Sequence, residues 1–289
     1  MLEAAFKAEG DGLAENTPRR RIRTPGGFFH FMVASWVGAN VFGYKAYGSF
    51  PGGRSKAVVM LYDGTTGELL CVIEASALGQ IRTGAVTGLA TKYMSRQDSS
   101  VVGIIGSGFQ ARTQLEAVCA VRDIKQVRVF SSTPDNREAF AADMTERFHI
   151  GVKPVDNGEE CIRGADIAIA VTSARDPVIN GEWLMEGTHI NAAGGNHWMR
   201  REVDDRTVEL ATPIVVDSME QAKMECGDLL GPSQRGLFLW TKASELRDVI
   251  AGRVNGRASD TAITLFESQG VALEDVAAAY HIFSKAKEQ

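Results

Sequence analysis

The sequence predicts an α/β protein in two parts, an α+β domain with a mostly antiparallel sheet and a domain with a doubly wound parallel sheet. Two observations lead to this prediction. Between residues 17 and 74, glycines alternate with short β-prone runs, a texture typical of strands joined by hairpins. Beyond residue 99, apolar runs alternate with helical patterns, which indicates βαβ units and a parallel sheet. The predicted domains are residues 1–96, onto which a C-terminal helix of residues 262–289 packs back, and residues 97–261.

The composition is that of an ordinary globular protein. The chain has 289 residues, of which 44% are hydrophobic and 23% charged, so it is not a disordered chain. A formal net charge of −5 argues against a nucleic-acid partner. The four cysteines are far apart and form no CxxC pair, which favours a reducing cytoplasm over a disulfide or structural zinc scaffold. No apolar run approaches the roughly 18 residues of a membrane span, so we expect a cytoplasmic protein without a membrane, nucleic-acid or metal partner.

The first domain is predicted to open with a helix, because Leu2, Ala5 and Phe6 fall at helical spacing. Strands are predicted at 28–33, 41–47, 58–62 and 69–74, the last two joined by a glycine-containing hairpin turn. A helix over 81–94 follows, because its apolar residues recur every four positions.

The second domain is predicted to alternate strands and helices. Its strands are predicted at 101–105, 126–130, 152–155, 167–171, 189–193 and 214–216, and its helices at 111–121, 135–148, 159–164, 218–230 and 243–251. The last segment, 262–287, is predicted as one long helix with an interruption near Gly270.

A glycine-rich hexapeptide follows the first strand of the second domain. Gly106-Ser107-Gly108-Phe109-Gln110-Ala111 fits the pattern GxGxxA and stands between a buried strand and a helix. Gly106 would allow the tight turn, Gly108 would let the backbone approach a pyrophosphate, and the small Ala111 would let the helix lie close to the sheet. The helix N-terminus would present unpaired N–H groups to the phosphates. These residues therefore predict a Rossmann-type dinucleotide site, with a ligand-free glycine turn as the alternative.

The end of the second strand of this domain bears on the choice between NAD(H) and NADP(H). An acidic residue there would accept hydrogen bonds from the ribose 2′-hydroxyl of NAD. The chain instead has Ser131, Ser132 and Thr133, with Arg137 one helical turn further on. Three hydroxyls suit either a 2′-hydroxyl or a 2′-phosphate, so the sequence leaves the coenzyme open.

Several cations in the first domain are candidate anion ligands. Lys45 lies on a predicted strand, and Arg82 opens the helix before small residues. A guanidinium is a fork of donors that suits bidentate carboxylate binding. Arg19, Arg21 and Arg23 alternate along an extended segment and would face one side. Taken singly, each of these side chains is more often a solvated surface residue.

Eight motifs in register connect the chain to a known family. The chain resembles the ornithine cyclodeaminase/mu-crystallin family from about Arg19 onward, through Gly43-Tyr44-Lys45, Gln80-Ile81-Arg82-Thr83-Gly84-Ala85, the hexapeptide at 106–111, Gly164-Ala165-Asp166, Gly181-Glu182-Trp183, His189-Ile190-Asn191-Ala192, Val216-Asp217-Ser218 and Ile263-Thr264-Leu265-Phe266-Glu267-Ser268. The family comprises NAD(P)-dependent enzymes that act at the Cα–N bond of amino or imino acids. The resemblance implies a Rossmann domain and a substrate domain that dimerises through its sheet.

The resemblance also assigns site residues. It implies that Lys45, Arg82 and Arg19 bind the α-carboxylate of a small amino or imino acid, with Arg21 as the alternative to Arg19. It also implies that Gln269 borders the substrate. Cofactor-lining positions implied in the same way are Thr172, Ser173, Gly194, Gly195 and Ser268.

Two departures from the family pattern bear on the activity. Where the cyclodeaminase has an active-site glutamate, this chain has His30, and where it has a proton-accepting aspartate, this chain has Asn196. A neutral amide cannot accept a proton at pH 7, whereas a carboxylate can. As an imidazolium, His30 would favour a substrate with an acidic side chain; the alternative is a packed core histidine.

These residues support three hypotheses. The first is an NAD(P)H-dependent oxidoreductase that reduces the C=N bond of a 2-imino acid, an imine reductase or amino-acid dehydrogenase. Its catalytic residues would be Lys45, Arg82, Asn196 and His30. The second is ornithine cyclodeaminase with His30 as its base, and the third is a crystallin-like NAD(P)-binding protein without turnover.

Overall fold

A computed structural model describes residues 1–53 and 56–288 of the chain. The chain divides into two compact units. Unit 1 comprises Met1–Thr83, Ile250–Arg253 and Gly270–Gln289, and unit 2 comprises Gly84–Val249 and Val254–Gln269. Within the described residues, no helix combines the length and the hydropathy that crossing a bilayer requires.

Helices and strands are numbered in chain order. They are α1 (Leu2–Gly10), β1 (Ala14–Asn16), β2 (Arg20–Thr24), β3 (Gly27–Trp36), β4 (Val41–Ser49), β5 (Ala57–Asp63), β6 (Leu69–Glu74), α2 (Ser76–Met94), β7 (Val101–Ile105), α3 (Phe109–Val121), β8 (Gln126–Phe130), α4 (Pro134–Phe148), β9 (Gly151–Pro154), α5 (Gly158–Ile162), β10 (Ile167–Ala170), β11 (His189–Ala192), α6 (Asp205–Leu210), β12 (Ile214–Val216), α7 (Met219–Glu225), α8 (Gly227–Gln234), β13 (Ala243–Glu245), α9 (Leu246–Ile250), β14 (Thr264–Glu267) and α10 (Ala272–Lys287).

Unit 1 is built on an antiparallel sheet. Its strands lie in the order β1-β3-β4-β5-β6, and β2 pairs with β3. Helix α10 packs across β3, β4 and β5 on one face, where the alternating side chains of those strands are buried. Met32, Val59 and Leu61 from the strands and Val276 from α10 contribute to this core.

Unit 2 is a doubly wound α/β domain. Its eight strands lie in the order β13-β12-β14-β11-β10-β7-β8-β9 and pair in parallel throughout. Apolar residues are buried on both faces of β7 and β10, as a parallel sheet covered by helices requires. The strand order reverses between β7 and β10, and ligands of such sheets bind outside the carboxyl ends of the strands at that point.

The predicted helix over 262–287 is wrong in its first part. Thr264–Glu267 forms β14, a fully buried strand between β11 and β12 in the parallel sheet. The helix begins only at Ala272, after Gly270 with φ of +77°. A short apolar run does not distinguish a buried strand from a buried helix by periodicity. Residues 264–267 consequently belong to unit 2, whereas the sequence analysis grouped them with the first domain.

Smaller corrections concern several other segments. The predicted helix over 243–251 begins as the edge strand β13 and is helical only at Leu246–Ile250. The segment 218–230 is two helices, α7 and α8, separated at Cys226. Strand β1 and helix α6 were not predicted from the sequence, and β2 was predicted only as an extended segment. The other predicted strands and helices are confirmed, with boundaries that shift by up to five residues.

Candidate functional site

The glycine loop in unit 2 has the geometry of a phosphate cradle. Gly106 has φ of +113°, and a Cβ there would lie 2.4 Å from the carbonyl oxygen of Val171, so only glycine fits. Gly108 caps α3, and a Cβ built on it meets no atom within 4 Å, which leaves space for a ligand. Ala111 is fully buried against the sheet. The N-terminus of α3 has no side-chain cap, and the open space beside Gly108 lies where a helix N-terminus would receive a phosphate.

The tip of β8 is tied to this loop. Ser107 Oγ donates a hydrogen bond to Ser131 Oγ at 3.0 Å, and Ser132 and Thr133 are exposed. The tip itself carries no carboxylate. Arg137 Nη1 donates to the carbonyl of Ser131 at 3.3 Å and also pairs with Asp156.

The carboxyl ends of β10, β11 and β14 lie side by side in the sheet and carry the other predicted cofactor residues. Ser173 is exposed, and Thr172, Gly194 and Gly195 are partly buried. Ser268 N donates to the carbonyl of Ala192 at 3.0 Å.

Two further predicted site residues also belong to unit 2. Gln269 is buried, and its backbone N donates to Asp217 Oδ2 at 2.6 Å. Asn196 is partly buried. A fully buried carboxylate that the sequence analysis missed, Glu202, accepts hydrogen bonds from Thr172 and Gly194.

In unit 1, the structure brings the predicted substrate cations together around the start of α10. Lys45 Nζ lies 2.9 Å from Asp275 Oδ1, and Arg82 Nε lies 3.0 Å from the same oxygen. Arg82 Nη1 also pairs with Glu274. Because an unpaired buried charge is costly, these carboxylates explain how two buried cations are tolerated. The sequence analysis did not single out Glu274 or Asp275.

Two glycines make room for this cluster. A Cβ on Gly79 would lie 3.1 Å from Lys45 Nζ, and one on Gly270 would lie 2.8 Å from Arg82 Nη1. Arg19 is buried as well, and its Nη2 donates to the carbonyl of Gly270 at 3.0 Å. Arg19 and Arg82 therefore both approach the same residue at the end of the chain segment that leads into α10.

Burial and charge set the protonation of the cluster. Burial lowers the pKa of Lys45, and the opposing attraction of Asp275 does not restore it. Burial alone would raise the pKa of Asp275, but Arg82 and Lys45 outweigh it and lower that pKa overall. The lowered pKa means that the Lys45 ammonium releases its proton more readily than that of an exposed lysine, a property that suits a general acid.

His30 lies on the same face of the sheet as Lys45. It pairs across the strands with Arg21 on one side and Tyr47 on the other, and its ring stacks on Tyr47 with centroids 4.4 Å apart. Burial, reinforced by Arg21 and Arg19, lowers the pKa of His30 to about 4. A ring with this pKa is neutral at pH 7, which favours the packed histidine over the imidazolium among the two sequence-based interpretations. Among the described residues, neither ring nitrogen of this buried side chain has a hydrogen-bond partner.

Comparisons with known proteins agree with this architecture. The model of the ornithine cyclodeaminase/mu-crystallin family matches residues 1–289. The chain belongs to this family. It is 40% identical over 233 residues to a Delta(1)-pyrroline-2-carboxylate reductase of Bacillus cereus, an alignment that covers 80% of this chain and 71% of the relative.

Two solved structures of the family superpose on the chain. A Delta(1)-pyrroline-2-carboxylate reductase of Thermococcus litoralis, in complex with NADH and L-proline, gives a TM-score of 0.94 at 37% identity and covers 99% of this chain and 91% of that one. An archaeal alanine dehydrogenase dimer with bound NAD gives a TM-score of 0.93 at 34% identity, with 99% and 90% covered. The α/β fold predicted from the sequence is thereby confirmed.

Proposed function

We propose that the protein is an NAD(P)H-dependent oxidoreductase that reduces the C=N bond of a small 2-imino acid to the corresponding amino acid. The observation that carries this proposal is the buried cluster of Lys45, Arg82 and Asp275, in which Lys45 has a lowered pKa and the guanidinium of Arg82 is held in place by carboxylates of α10. The family relatives that reduce cyclic imino acids or oxidise alanine support the same reaction class.

Different residues of the chain bind the dinucleotide and the substrate carboxylate. A bound dinucleotide supplies the hydride to Cα in reduction or accepts it in oxidation. Residues 106–111, with Thr172 and Gly194, hold that dinucleotide. Arg82 and Arg19 grip the α-carboxylate.

Proton transfer falls to Lys45. As an ammonium it donates a proton toward the imine nitrogen, and Asp275 holds it in place. Neutral His30 and Asn196 offer hydrogen bonds to the substrate rather than charge. In the reverse direction, Lys45 in its neutral form accepts the proton.

The family's cyclodeaminase reaction is disfavoured by the same residues. Its two active-site carboxylates are replaced by His30 and Asn196. A histidine with a pKa of about 4 is a weak base at pH 7. The non-catalytic alternative gives no chemical role to Lys45 and Arg82, two buried cations that share the carboxylate of Asp275.

The coenzyme is NAD(H) or NADP(H), and the tip of β8 supports use of the phosphorylated form. It lacks a carboxylate that would repel a 2′-phosphate, and Arg137 reaches its backbone.

A homodimer that forms through the sheet of unit 1 completes the proposal. The sheet face opposite α10 exposes apolar side chains, among them Phe29, Phe42 and Val72, and such a patch marks an interface. The archaeal alanine dehydrogenase is a dimer. Light scattering after size exclusion should give twice the chain mass of 31.2 kDa, and a monomer at micromolar concentration would refute the dimer.

The cytoplasm is the proposed location of the enzyme. Cys71, Cys119, Cys161 and Cys226 form no disulfide. Free thiols of this kind fit a reducing compartment.

The test of function follows absorbance at 340 nm. Purified protein is incubated with NADH or NADPH and either Δ1-pyrroline-2-carboxylate or pyruvate with ammonia, and a parallel tube holds ornithine with NAD for ammonia release. Loss of absorbance with an imino acid is the expected result. Ammonia from ornithine without a net change in NADH would support the cyclodeaminase. No reaction under any of these conditions, with nucleotide binding intact, would support the non-catalytic binding protein.

A further inference from the structure

Glu202 is a buried carboxylate that joins the ends of two neighbouring strands in unit 2. Its Oε1 accepts hydrogen bonds from the backbone N of Thr172 at 2.6 Å and from Thr172 Oγ at 2.8 Å. Its Oε2 accepts from the backbone N of Gly194 at 2.6 Å. The side chain is 1% exposed. One carboxylate therefore satisfies donors from the loops that follow both β10 and β11.

These two loops are in direct contact. A Cβ on Gly194 would lie 2.3 Å from both the backbone N and O of Thr172 and 2.6 Å from Glu202 Oε1. Only a glycine permits the two loops to approach so closely with the carboxylate between them. The two loops and the carboxylate form one rigid group.

A second carboxylate fixes Glu202 itself. The backbone N–H groups of Glu202 and Val203 donate to Asp228 Oδ1 at 2.8 and 2.9 Å. Asp228, near the start of α8, is 2% exposed. Burial raises the pKa of Glu202, and the N–H donors of Gly194 and Thr172 oppose that shift. Asp228 therefore fixes the backbone of Glu202, whose carboxylate accepts the hydrogen bonds of Thr172 and Gly194.

The position of the two loops in the sheet indicates which part of a dinucleotide they face. Strands β9, β8 and β7 form one half of the doubly wound sheet, and β10, β11 and β14 begin the other half. Because the pyrophosphate would lie at the loop after β7, the adenosine half of the cofactor extends over β8 and the nicotinamide half over β10 and β11. Thr172 and Gly194 stand at the ends of those two strands.

We propose that Glu202 is a positioning residue for the nicotinamide half of the dinucleotide, because its carboxylate fixes the loops at Thr172 and Gly194 against that half. This inference rests on the proposed dinucleotide-dependent function. It assigns Glu202 no contact with substrate or cofactor. Glu202 affects dinucleotide binding by fixing the two loops that carry Thr172 and Gly194.

The experiment compares a full dinucleotide with a probe that lacks the nicotinamide. Dissociation constants of NADH, NADPH and ADP are measured by calorimetry for the intact protein, Glu202→Gln, Glu202→Asp and the control Glu159→Gln, which alters an exposed carboxylate of α5. Glutamine places an amide NH₂ opposite a backbone N–H donor, so at least one charge-assisted hydrogen bond is lost. We expect Glu202→Gln to weaken binding of the preferred dinucleotide about 10- to 100-fold.

Binding of ADP reports on global damage. In Glu202→Gln the dissociation constant of ADP should stay within about twofold of the unaltered protein, because the loop after β7 makes no hydrogen bond to Glu202. Glu159→Gln should leave both constants unchanged. Glu202→Asp keeps the charge but is shorter, and we expect it to bind the dinucleotide more tightly than Glu202→Gln does.

Two results would overturn the inference. One is equal weakening of ADP and dinucleotide binding, which would indicate a general structural role, and the other is unchanged dinucleotide binding. Should Glu202→Gln fail to fold, Thr172→Val removes only one of the three hydrogen bonds, and dinucleotide binding should weaken while ADP binding does not. If the unaltered protein binds neither NADH nor NADPH, the proposed function fails before this inference is reached.

Discussion

Replacement of Asp275 by Asn removes the charge that two buried cations share. Asp275 Oδ1 lies 2.9 Å from Lys45 Nζ and 3.0 Å from Arg82 Nε, and the side chain is fully buried. The other oxygen, Oδ2, accepts no hydrogen bond from a described residue, so the amide NH₂ of Asn fits there and the change isolates the charge. Removing one partner of a buried ion pair costs about 3–5 kcal/mol, because the remaining charge stays desolvated. We expect the free energy of unfolding to fall by about 3 kcal/mol or more.

Urea denaturation followed by circular dichroism at pH 7 measures this loss. The matched control is Asp11→Asn, which removes an exposed carboxylate of unit 1 that pairs with Lys7 and Arg253. Exposed pairs contribute about 0–1 kcal/mol. If Asp275→Asn loses no more stability than Asp11→Asn, the buried cluster is not what stabilises this region.

The same variant tests the proposed role of Lys45. Burial already lowers the pKa of Lys45, and Asp275 opposes that shift. Without Asp275 the pKa falls further, so the ammonium needed for reduction is lost at a lower pH. The descending limb of the pH profile for imine reduction should move to lower pH in Asp275→Asn, and an unchanged limb would show that Lys45 is not the proton donor.

Three further predictions concern single residues. The pKa of His30 is lowered from 6.5 to about 4, so the folded state disfavours protonation of the ring and the protein loses stability as the pH falls from 6.5 toward 4. The variant His30→Phe lacks this titrating group, so its free energy of unfolding should fall less between pH 7 and pH 4.5 than that of the unaltered protein. An equal fall would contradict this prediction. Ser132→Asp places a carboxylate at the tip of β8, where it would repel a 2′-phosphate. The KM for NADPH should therefore rise about tenfold or more, while the KM for NADH changes little. Parallel changes in both KM values would show that the ribose lies elsewhere. Gly108→Ala adds a methyl group into open space, so the free energy of unfolding measured by urea denaturation should change by no more than about 1 kcal/mol. The dissociation constant of the dinucleotide should rise, because the methyl group would occupy the space of the phosphates. Unchanged dinucleotide binding would show that the phosphates do not lie at this loop.

The dinucleotide loop was predictable because its chemistry is local. Gly106 and Gly108 lie two residues apart between a strand and a helix, and the structure gives each the conformation or the open space that its role requires. Lys45 and Arg82 were predictable as candidates by resemblance. Their burial around one carboxylate could not be predicted, because nothing in the sequence indicates that a lysine and an arginine on separate elements share a partner.

The carboxylates were missed for a related reason. Asp275 lies 230 residues from Lys45 in sequence, and its role depends on where α10 begins. The sequence analysis merged α10 with β14 into one helix, which hid Glu274 and Asp275 as the first turn of a new helix. Glu202 has no motif around it, and only its hydrogen bonds to the loops at Thr172 and Gly194 suggest the proposed positioning role. The pKa of His30 likewise depends on burial, on Arg21 of β2 and on Arg19, which precedes that strand.

In the proposed reaction a hydride passes between the dinucleotide and Cα of an imino acid. This transfer is tested most directly with coenzyme that carries deuterium at the transferring C4 position of the nicotinamide, incubated with Δ1-pyrroline-2-carboxylate and the protein. We predict that NMR of the product proline finds deuterium at Cα, in an amount equal to the coenzyme oxidised. Proline without deuterium, or no product while the coenzyme stays bound and reduced, would contradict the proposed reaction.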